Sequence, residues 1–132
     1  EYGATTKRPR DIALLDLPAL RFYAQVGRFN ALVLTHMDIS YPGQTIKVCV
    51  DYQINDHPVP YRPDQEYLNL VSPFYREFQP WDVEKLRAAK SFEQLPTEAQ
   101  VFLKFIEEQF ALPVLLITTG PRREQGLWLQ KW

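Results

Sequence analysis

Two short, wholly apolar runs constrain this chain more than any other feature. Ala31-Leu32-Val33-Leu34-Thr35 and Val114-Leu115-Leu116-Ile117 are too short for buried helices, and their branched side chains predict strands buried on both faces. Strands of that kind sit in sheets covered by helices, and two helical patterns alternate with them here. The first runs from Asp16, placed to cap, through Pro18 in the first turn to Gly27, where a left-handed C-terminal cap is wanted, with Leu17, Leu20 and Ala24 on one face beside Tyr23. The second opens at Pro96 and runs to about Phe110, with Phe102, Phe105, Ile106 and Phe110 opposite Glu98, Lys104, Glu107 and Glu108 until Pro113 ends it. An α/β sheet whose strand ends carry the chemistry is expected.

Between these elements, a Tyr41-Pro42-Gly43 turn leads into a partly alternating strand from Thr45 to Ile54, and Asn55-Asp56 predicts a hairpin turn after it. Pro58, Pro60 and Pro63 make residues 57–64 a loop or an edge segment. A short strand is expected around Leu68 to Tyr75, with Phe74, Tyr75, Phe78 and Trp81 in the core. Thr118 to Arg123 reads as a turn, and Gly126 to Leu129 as a strand returning in a terminal hairpin. No repeat or long linker interrupts the pattern, so residues 1–132 are read as one folding unit.

With 15.5 kDa of protein, surface scaling gives roughly 7,200 Å² of folded surface and room for one modest core. Fifteen basic against sixteen acidic residues give a net charge of −1, which removes the bulk argument for nucleic-acid or anionic-membrane binding and leaves any polyanion site local. The lone Cys49 lies in the apolar run Ile46 to Val50 and is expected to be a buried, reduced, inert thiol of a cytoplasmic protein. No apolar run approaches the length of a membrane span. The chain begins Glu-Tyr-Gly without an initiator methionine, and its first ten residues hold little that could pack, so it is read as a piece of something longer.

Three stretches carry candidate chemistry. Gly3-Ala4-Thr5-Thr6-Lys7-Arg8-Pro9-Arg10 places two hydroxyls and three cations within eight residues, a set suited to carboxylate or phosphate oxygens, although a solvated basic arm has the same composition. Thr35-His36-Met37-Asp38 ends the first apolar strand, where open sheets bind ligands. A carboxylate there accepts the adjacent N1–H and N2–H donors of guanine, which adenine does not offer; a turn-forming Asp is the plainer alternative. Thr118-Thr119-Gly120-Pro121-Arg122-Arg123 follows the second strand and offers hydroxyls and carbonyls to a base, or forms a ligand-free hairpin turn. Zinc-ligand sets, Walker loops and Gly-x-Ser-x-Gly motifs are absent from the sequence.

In order and spacing, five blocks resemble the C-terminal part of the adenylosuccinate synthetase family. They are Glu1-Tyr2-Gly3-Ala4-Thr5-Thr6-x-Arg8-Pro9-Arg10 with Leu15-Asp16-Leu17; Leu34-Thr35-x-Met37-Asp38; Ile46 to Val50; Ser91-Phe92-Glu93-Gln94-Leu95-Pro96; and Thr119-Gly120-Pro121. The resemblance implies the C-terminal portion of a larger mixed-sheet α/β ligase that joins L-aspartate to C6 of IMP, using GTP and magnesium, through 6-phosphoryl-IMP. It implies an aspartate loop at 3–10, in which Ala4, Thr5, Thr6, Lys7, Arg8, Pro9 and Arg10 meet aspartate and IMP, with Arg8 also serving the IMP ribose and Arg10 approaching GTP. It assigns His36, Met37 and Asp38, within 35–38, and Thr118, Thr119 and Gly120, within 118–121, to the guanine pocket.

The family's phosphate loop, general base, magnesium ligand and most IMP contacts map N-terminal to Glu1, so no catalytic or metal-ligating residue is expected in this chain and the chain alone is expected to be inactive. The complete protein is expected to be a cytoplasmic homodimer. Two positions depart from the family: His36 stands where it has Lys, and Lys7 where it has Gly. These departures leave open a divergent, phage-type relative using another purine nucleotide. A non-catalytic nucleotide-binding or interaction module that keeps the fold also remains open.

Overall fold

A computed structural model describes residues 2–3, 5–9 and 11–130. Strand β1 (Leu15–Asp16) leads directly into helix α1 (Leu17–Val26), followed by β2 (Leu32–Leu34), the long β3 (Ile46–Ile54) and β4 (His57–Val59). A short helix α2 (Gln65–Leu68), β5 (Ser72–Phe78), α3 (Val83–Ala88), α4 (Thr97–Phe110), β6 (Val114–Thr118) and β7 (Gly126–Trp128) complete the order. Two sheets result. In the four-stranded one, β3 pairs with β1 in parallel and with β4 and β5 antiparallel. In the three-stranded one, β6 lies between a parallel β2 and an antiparallel β7.

Local chemistry explains most of these choices. Asp16 caps α1 by accepting the Ala19 N–H at 3.2 Å, while its other carboxylate oxygen takes the Tyr52 hydroxyl, so one side chain starts the helix and ties it to β3. Asn55 and Asp56 both adopt positive φ, 51° and 62°, the backbone a two-residue hairpin turn requires, and β4 returns along β3 as expected. Pro58 is tolerated because β4 is an edge strand, opposite Gln53. Helix α4 buries Ala99, Phe102, Leu103, Phe105 and Ile106 on one face. Phe78 from β5 packs against Phe102 and Phe105 at ring separations of 5.3 and 4.8 Å. One apolar cluster draws Leu17 and Val48 from the first sheet's side together with Val114 and Ile117 from the second. Arg21 on α1 reaches Gln109 on α4 and the Val50 carbonyl on β3, both at 2.8 Å, and fastens the layers together.

Several expectations are corrected. Gly27 is not the left-handed residue after α1: its φ is −76°, and Arg28 takes the left-handed turn at 51°. Glycine at 27 instead lets the Phe29 ring lie close, 2.5 Å from where a Cβ would stand, so a larger residue would have to push that exposed ring aside. Strand β2 is not buried on both faces, since Val33 is 56% exposed; β2 is also an edge strand, so one side of its backbone is unpaired as well. Phe74 and Tyr75 are exposed rather than core, unlike Phe78 and Trp81. The β5 strand begins four residues later than expected, at Ser72, because Gln65 to Leu68 form a turn of helix capped by Asp64. Helix α4 ends at Ala111, which adopts φ 51°, two residues ahead of Pro113.

The accessible surface is 9604 Å², about a third above the roughly 7,200 Å² of a self-contained protein of this mass. Exposed apolar side chains contribute to it: Leu20, Tyr23, Phe29 and Val33 border a groove of about 200 Å³ beside the free edge of β2. Among the described residues no helix is long and apolar enough to cross a membrane.

Candidate functional site

Strands β2 and β6 run parallel, so the turns that follow them emerge at the same end of the sheet and meet. The Met37 N–H donates to the Thr118 carbonyl at 2.9 Å, and the His36 N–H to Thr118 Oγ1 at 3.3 Å, extending the ladder past the strand. His36 adopts φ 60°, a left-handed conformation that turns the chain so that Met37 is buried while His36 itself stays exposed. The Ile39 N–H closes the turn onto the His36 carbonyl at 3.0 Å. The indole of Trp81 supports it from beneath: Nε1–H donates to the Met37 carbonyl at 2.7 Å, and the Trp81 backbone N–H donates to Ser40 Oγ at 3.1 Å. Trp81 is buried against Phe102, so the turn rests on the core.

The facing turn is closed by Gln125. Its carbonyl accepts both the Thr119 N–H at 2.8 Å and the Thr119 hydroxyl at 3.2 Å, and its side-chain oxygen accepts the Arg122 N–H at 2.9 Å. The side chain of Thr119 is thus committed within its own turn, and its carbonyl accepts from Arg87 Nε at 3.4 Å. Gly120 allows the close approach, since a Cβ there would stand 2.4 Å from the Gln125 amide.

Asp38 lies between these turns with its side chain only 14% exposed. Oδ2 pairs with Arg87 Nη2 at 3.3 Å, whereas Oδ1 is sealed from solvent and has no hydrogen-bond partner among the described residues. An enclosed carboxylate oxygen without a donor costs at least about 1–3 kcal/mol, so a ligand's N–H would be favoured there once the cover over Oδ1 is displaced. Arg87, on α3, escaped the sequence reading: α3 is six residues long with only Leu86 buried, too little for a periodic signal. The available clue was Asp82 followed by Glu84, a capping pattern; Asp82 Oδ1 accepts the Glu84 and Lys85 N–H groups at 2.9 and 3.0 Å.

The N-terminal loop is built differently. Tyr2 and Pro9 form an antiparallel bridge, Gly3 N–H donates to the Arg8 carbonyl, and Lys7 N–H donates to the Gly3 carbonyl, the last two both at 2.9 Å. Thr5, Thr6, Lys7, Arg8 and Pro9 are all exposed, with Lys7 in the left-handed region at φ 54°. Ala4 and Arg10 lie outside the described residues. The loop continues toward β1 in the four-stranded sheet, and among the described residues no hydrogen bond or ion pair joins it to residues 35–38 or 118–120.

A polar cleft of about 610 Å³ opens between Pro80–Ala89 and Gln94–Glu98, and neither the loop nor Asp38 lines it. Among the described residues it has no enclosed side-chain polar atom without a partner, and the Asp38 turn is the stronger candidate site. Cys49 is buried at the opposite sheet, its thiol pushed up to about 11 by burial and by Asp16 and Asp51, which suits an inert side chain. Tyr52 is raised as well, by burial and by its hydrogen bond to Asp16. Among the described residues no group of three or more His, Cys, Asp or Glu side chains is placed to hold a metal ion.

Comparison with known proteins gives this arrangement a context. The model of the family described as adenylosuccinate synthetase matches residues 1–127. The adenylosuccinate synthetase of Aquifex aeolicus is 37% identical over 132 residues, covering 99% of this chain and 30% of that protein. That of Lactobacillus delbrueckii subsp. bulgaricus is 39% identical over 131 residues, covering 98% and 30%. In three dimensions the chain is similar to the fully ligated adenylosuccinate synthetase of Plasmodium falciparum, with a TM-score of 0.89 at 27% identity, covering 98% of this chain and 32% of that one. Sequence blocks, mixed α/β sheets and overall shape agree, and this chain of about 30% of its relatives' length belongs to the adenylosuccinate synthetase family.

Proposed function

We propose that these 132 residues act as one unit of a ligase that joins L-aspartate to C6 of IMP at the expense of GTP, supplying its guanine pocket and its aspartate loop. The observation that carries the reading is Asp38, whose Oδ1 is enclosed without a donor between the turns after β2 and β6. Guanine presents N1–H and N2–H side by side and satisfies such a carboxylate; adenine presents an acceptor at N1 and does not. Thr118 and the carbonyls of the Thr118–Gly120 turn complete the base site, with Met37 holding the floor and His36 at the open rim. In the loop, Thr5 and Thr6 receive the carboxylates of aspartate and Arg8 pairs with one of them in a forked, charge-assisted contact. Ala4, Lys7 and Pro9 shape that loop, and Arg10 is assigned to GTP.

In the reaction so proposed, the γ-phosphoryl of GTP passes to O6 of IMP, the aspartate amine attacks C6, and inorganic phosphate leaves from it. The groups that move those protons and cradle the phosphates are assigned to residues outside these 132, so the chain by itself is proposed to be inactive. Magnesium is assigned outside them too, as the resemblance to the family implies, and no step here runs through a metal. The complete protein is proposed to be a cytoplasmic homodimer.

The test is a chimera in which this chain replaces the matching third of the Aquifex aeolicus relative. Adenylosuccinate formation with at least a tenfold preference for GTP over ATP is expected, and Asp38→Asn should erode that preference by roughly 1–3 kcal/mol. A folded chimera without turnover would favour the non-catalytic module. Equal use of GTP and ATP would defeat the guanine assignment.

A further inference from the structure

We propose that Arg87 is the positioning residue of the guanine pocket: it clamps the Thr35–Asp38 turn to the Thr118–Gly120 turn and fixes the Asp38 carboxylate in the orientation that reads a guanine edge. The proposal rests on the reading of Asp38 as the base-recognition group. Three contacts define the clamp. Nη2 lies 3.3 Å from Asp38 Oδ2, Nε donates to the Thr119 carbonyl at 3.4 Å, and Nη1 lies 3.0 Å from Glu84 Oε1 one helical turn earlier on α3. One guanidinium thus touches both turns of the pocket while a third group on its own helix holds it in place.

Arginine is suited to this and lysine is not. A guanidinium directs its N–H groups along fixed, divergent lines in one plane, so a carboxylate, a carbonyl and a second carboxylate can be met at once; an ammonium is a compact charge that meets one of them well. The helix that carries Arg87 is itself anchored, by the Asp82 cap at its start and by Leu86, which is 1% exposed in the core beside it. Arg87 remains 42% exposed, so it is a strut at the rim and not a core residue.

The clamp leaves the carboxylate able to read a base. Two ionised oxygens offer about four acceptor positions; Arg87 uses one on Oδ2, and Oδ1 keeps both of its own. Without Arg87, Asp38 loses the only cation paired with it among the described residues, and with it the contact that fixes Oδ2. Selectivity between guanine and hypoxanthine is the most sensitive measure of this, because the two bases differ by the single N2 amino donor that a second, correctly aimed oxygen must meet.

The experiment is an NMR titration of the 132-residue chain with GTP, ITP and ATP, following the Arg87 Nε–H and Asp38 carboxyl-carbon signals. In the unmodified chain GTP is expected to shift both signals, with a dissociation constant on the order of 1 mM and about fivefold tighter than ITP; ATP is expected to leave them in place. Arg87→Gln should weaken GTP binding about tenfold and bring the GTP-to-ITP ratio close to one, with the amide signals of α4 and β3 unchanged. Arg87→Lys should recover part of the affinity and not the ratio. An unchanged GTP-to-ITP ratio in Arg87→Gln would overturn the clamp while leaving the guanine reading in place. If Arg87→Gln loses its dispersed spectrum, Arg87→Lys decides alone, and a ratio equal to that of the unmodified chain overturns the proposal. No preference of the unmodified chain for GTP over ATP, together with no effect of Asp38→Asn, would overturn the clamp and the guanine reading alike.

Discussion

The two candidate ligand regions of this chain are held by different means. The turns at 35–38 and 118–120 extend a parallel pair of strands, rest on a buried indole, and are bridged by Arg87. The loop at residues 2–9 has backbone bonds to itself and exposed side chains at 5–9. A base is flat, rigid and discriminated by the placement of one or two donors, so its site benefits from being formed in advance. Aspartate is small and doubly charged, and a loop that closes over it can organise around the charge itself. The contrast implies that the proposed guanine pocket would belong to this chain's own folding, whereas the proposed aspartate loop would acquire its working shape from what it binds.

The largest test of that contrast is Trp81→Ala. Removing a buried indole that also satisfies the Met37 carbonyl should cost roughly 3–5 kcal/mol of stability, read as a lower urea midpoint. The NMR signals of residues 35–38 should shift while those of Gly3 and Lys7 stay in place. Matching shifts in the loop would mean that the two regions are coupled after all.

Next in size is Arg8→Ala, measured in the chimera with the Aquifex aeolicus relative. Losing a charge-assisted pair of roughly 1.5–3 kcal/mol should raise the KM for aspartate about tenfold or more, with the KM for GTP and the urea midpoint unchanged. An unchanged aspartate dependence would remove Arg8 from the site.

Lys7→Gly sharpens the comparison from the other side. Lys7 holds a left-handed backbone, φ 54°, a conformation that glycine adopts without steric cost. Relief of about 1 kcal/mol of strain is expected there, offset in part by the greater freedom of glycine in the unfolded chain. Slower exchange of the Lys7 amide, which donates to the Gly3 carbonyl, would show the tightened hairpin.

The last test is alkaline. Cys49 is raised from 9.0 to about 11, so the neutral thiol contributes stability that is fully present below pH 9 and is lost as pH rises through about 11. Its thiolate would form beside Asp16, on the register pair that joins β1 to β3 just after the loop. A pH series should therefore loosen amides at Leu15 and Asp16 before those at Met37 and Thr119. Loss of both sets together would indicate one cooperative unit.

Much of this architecture was legible because it rests on local rules. The proline-opened helix with its phenylalanine stripe became α4, the Asn55-Asp56 turn became the hairpin, and the run Val114 to Ile117 became the strand that organises the second sheet. Asp38 and the Thr118–Gly120 turn were legible as strand-end residues, and the parallel pairing of β2 with β6 brings them together. What escaped depends on distant contacts. Helices α2 and α3 are four and six residues long, shorter than any periodicity can reveal, and each is fixed by an aspartate cap. The role of Arg87 carries no local signal beyond its i,i+3 pair with Glu84, since its other partners Asp38 and Thr119 lie 49 and 32 residues away. The exposure of Val33, Phe74 and Tyr75 likewise escaped, because an apolar run predicts burial without saying who provides the cover.

The free flank of β2 has a practical consequence. A short strand with an unpaired backbone, set beside Phe29, Tyr23 and Leu20, offers an incoming strand both hydrogen bonds and grease. Prepared alone, the chain should therefore show a solubility ceiling, with light scattering that grows faster than linearly as it is concentrated and an apparent melting temperature that drifts with dilution. A lysine introduced at Val33, pointing a charge across that flank, should raise the ceiling without touching either ligand region.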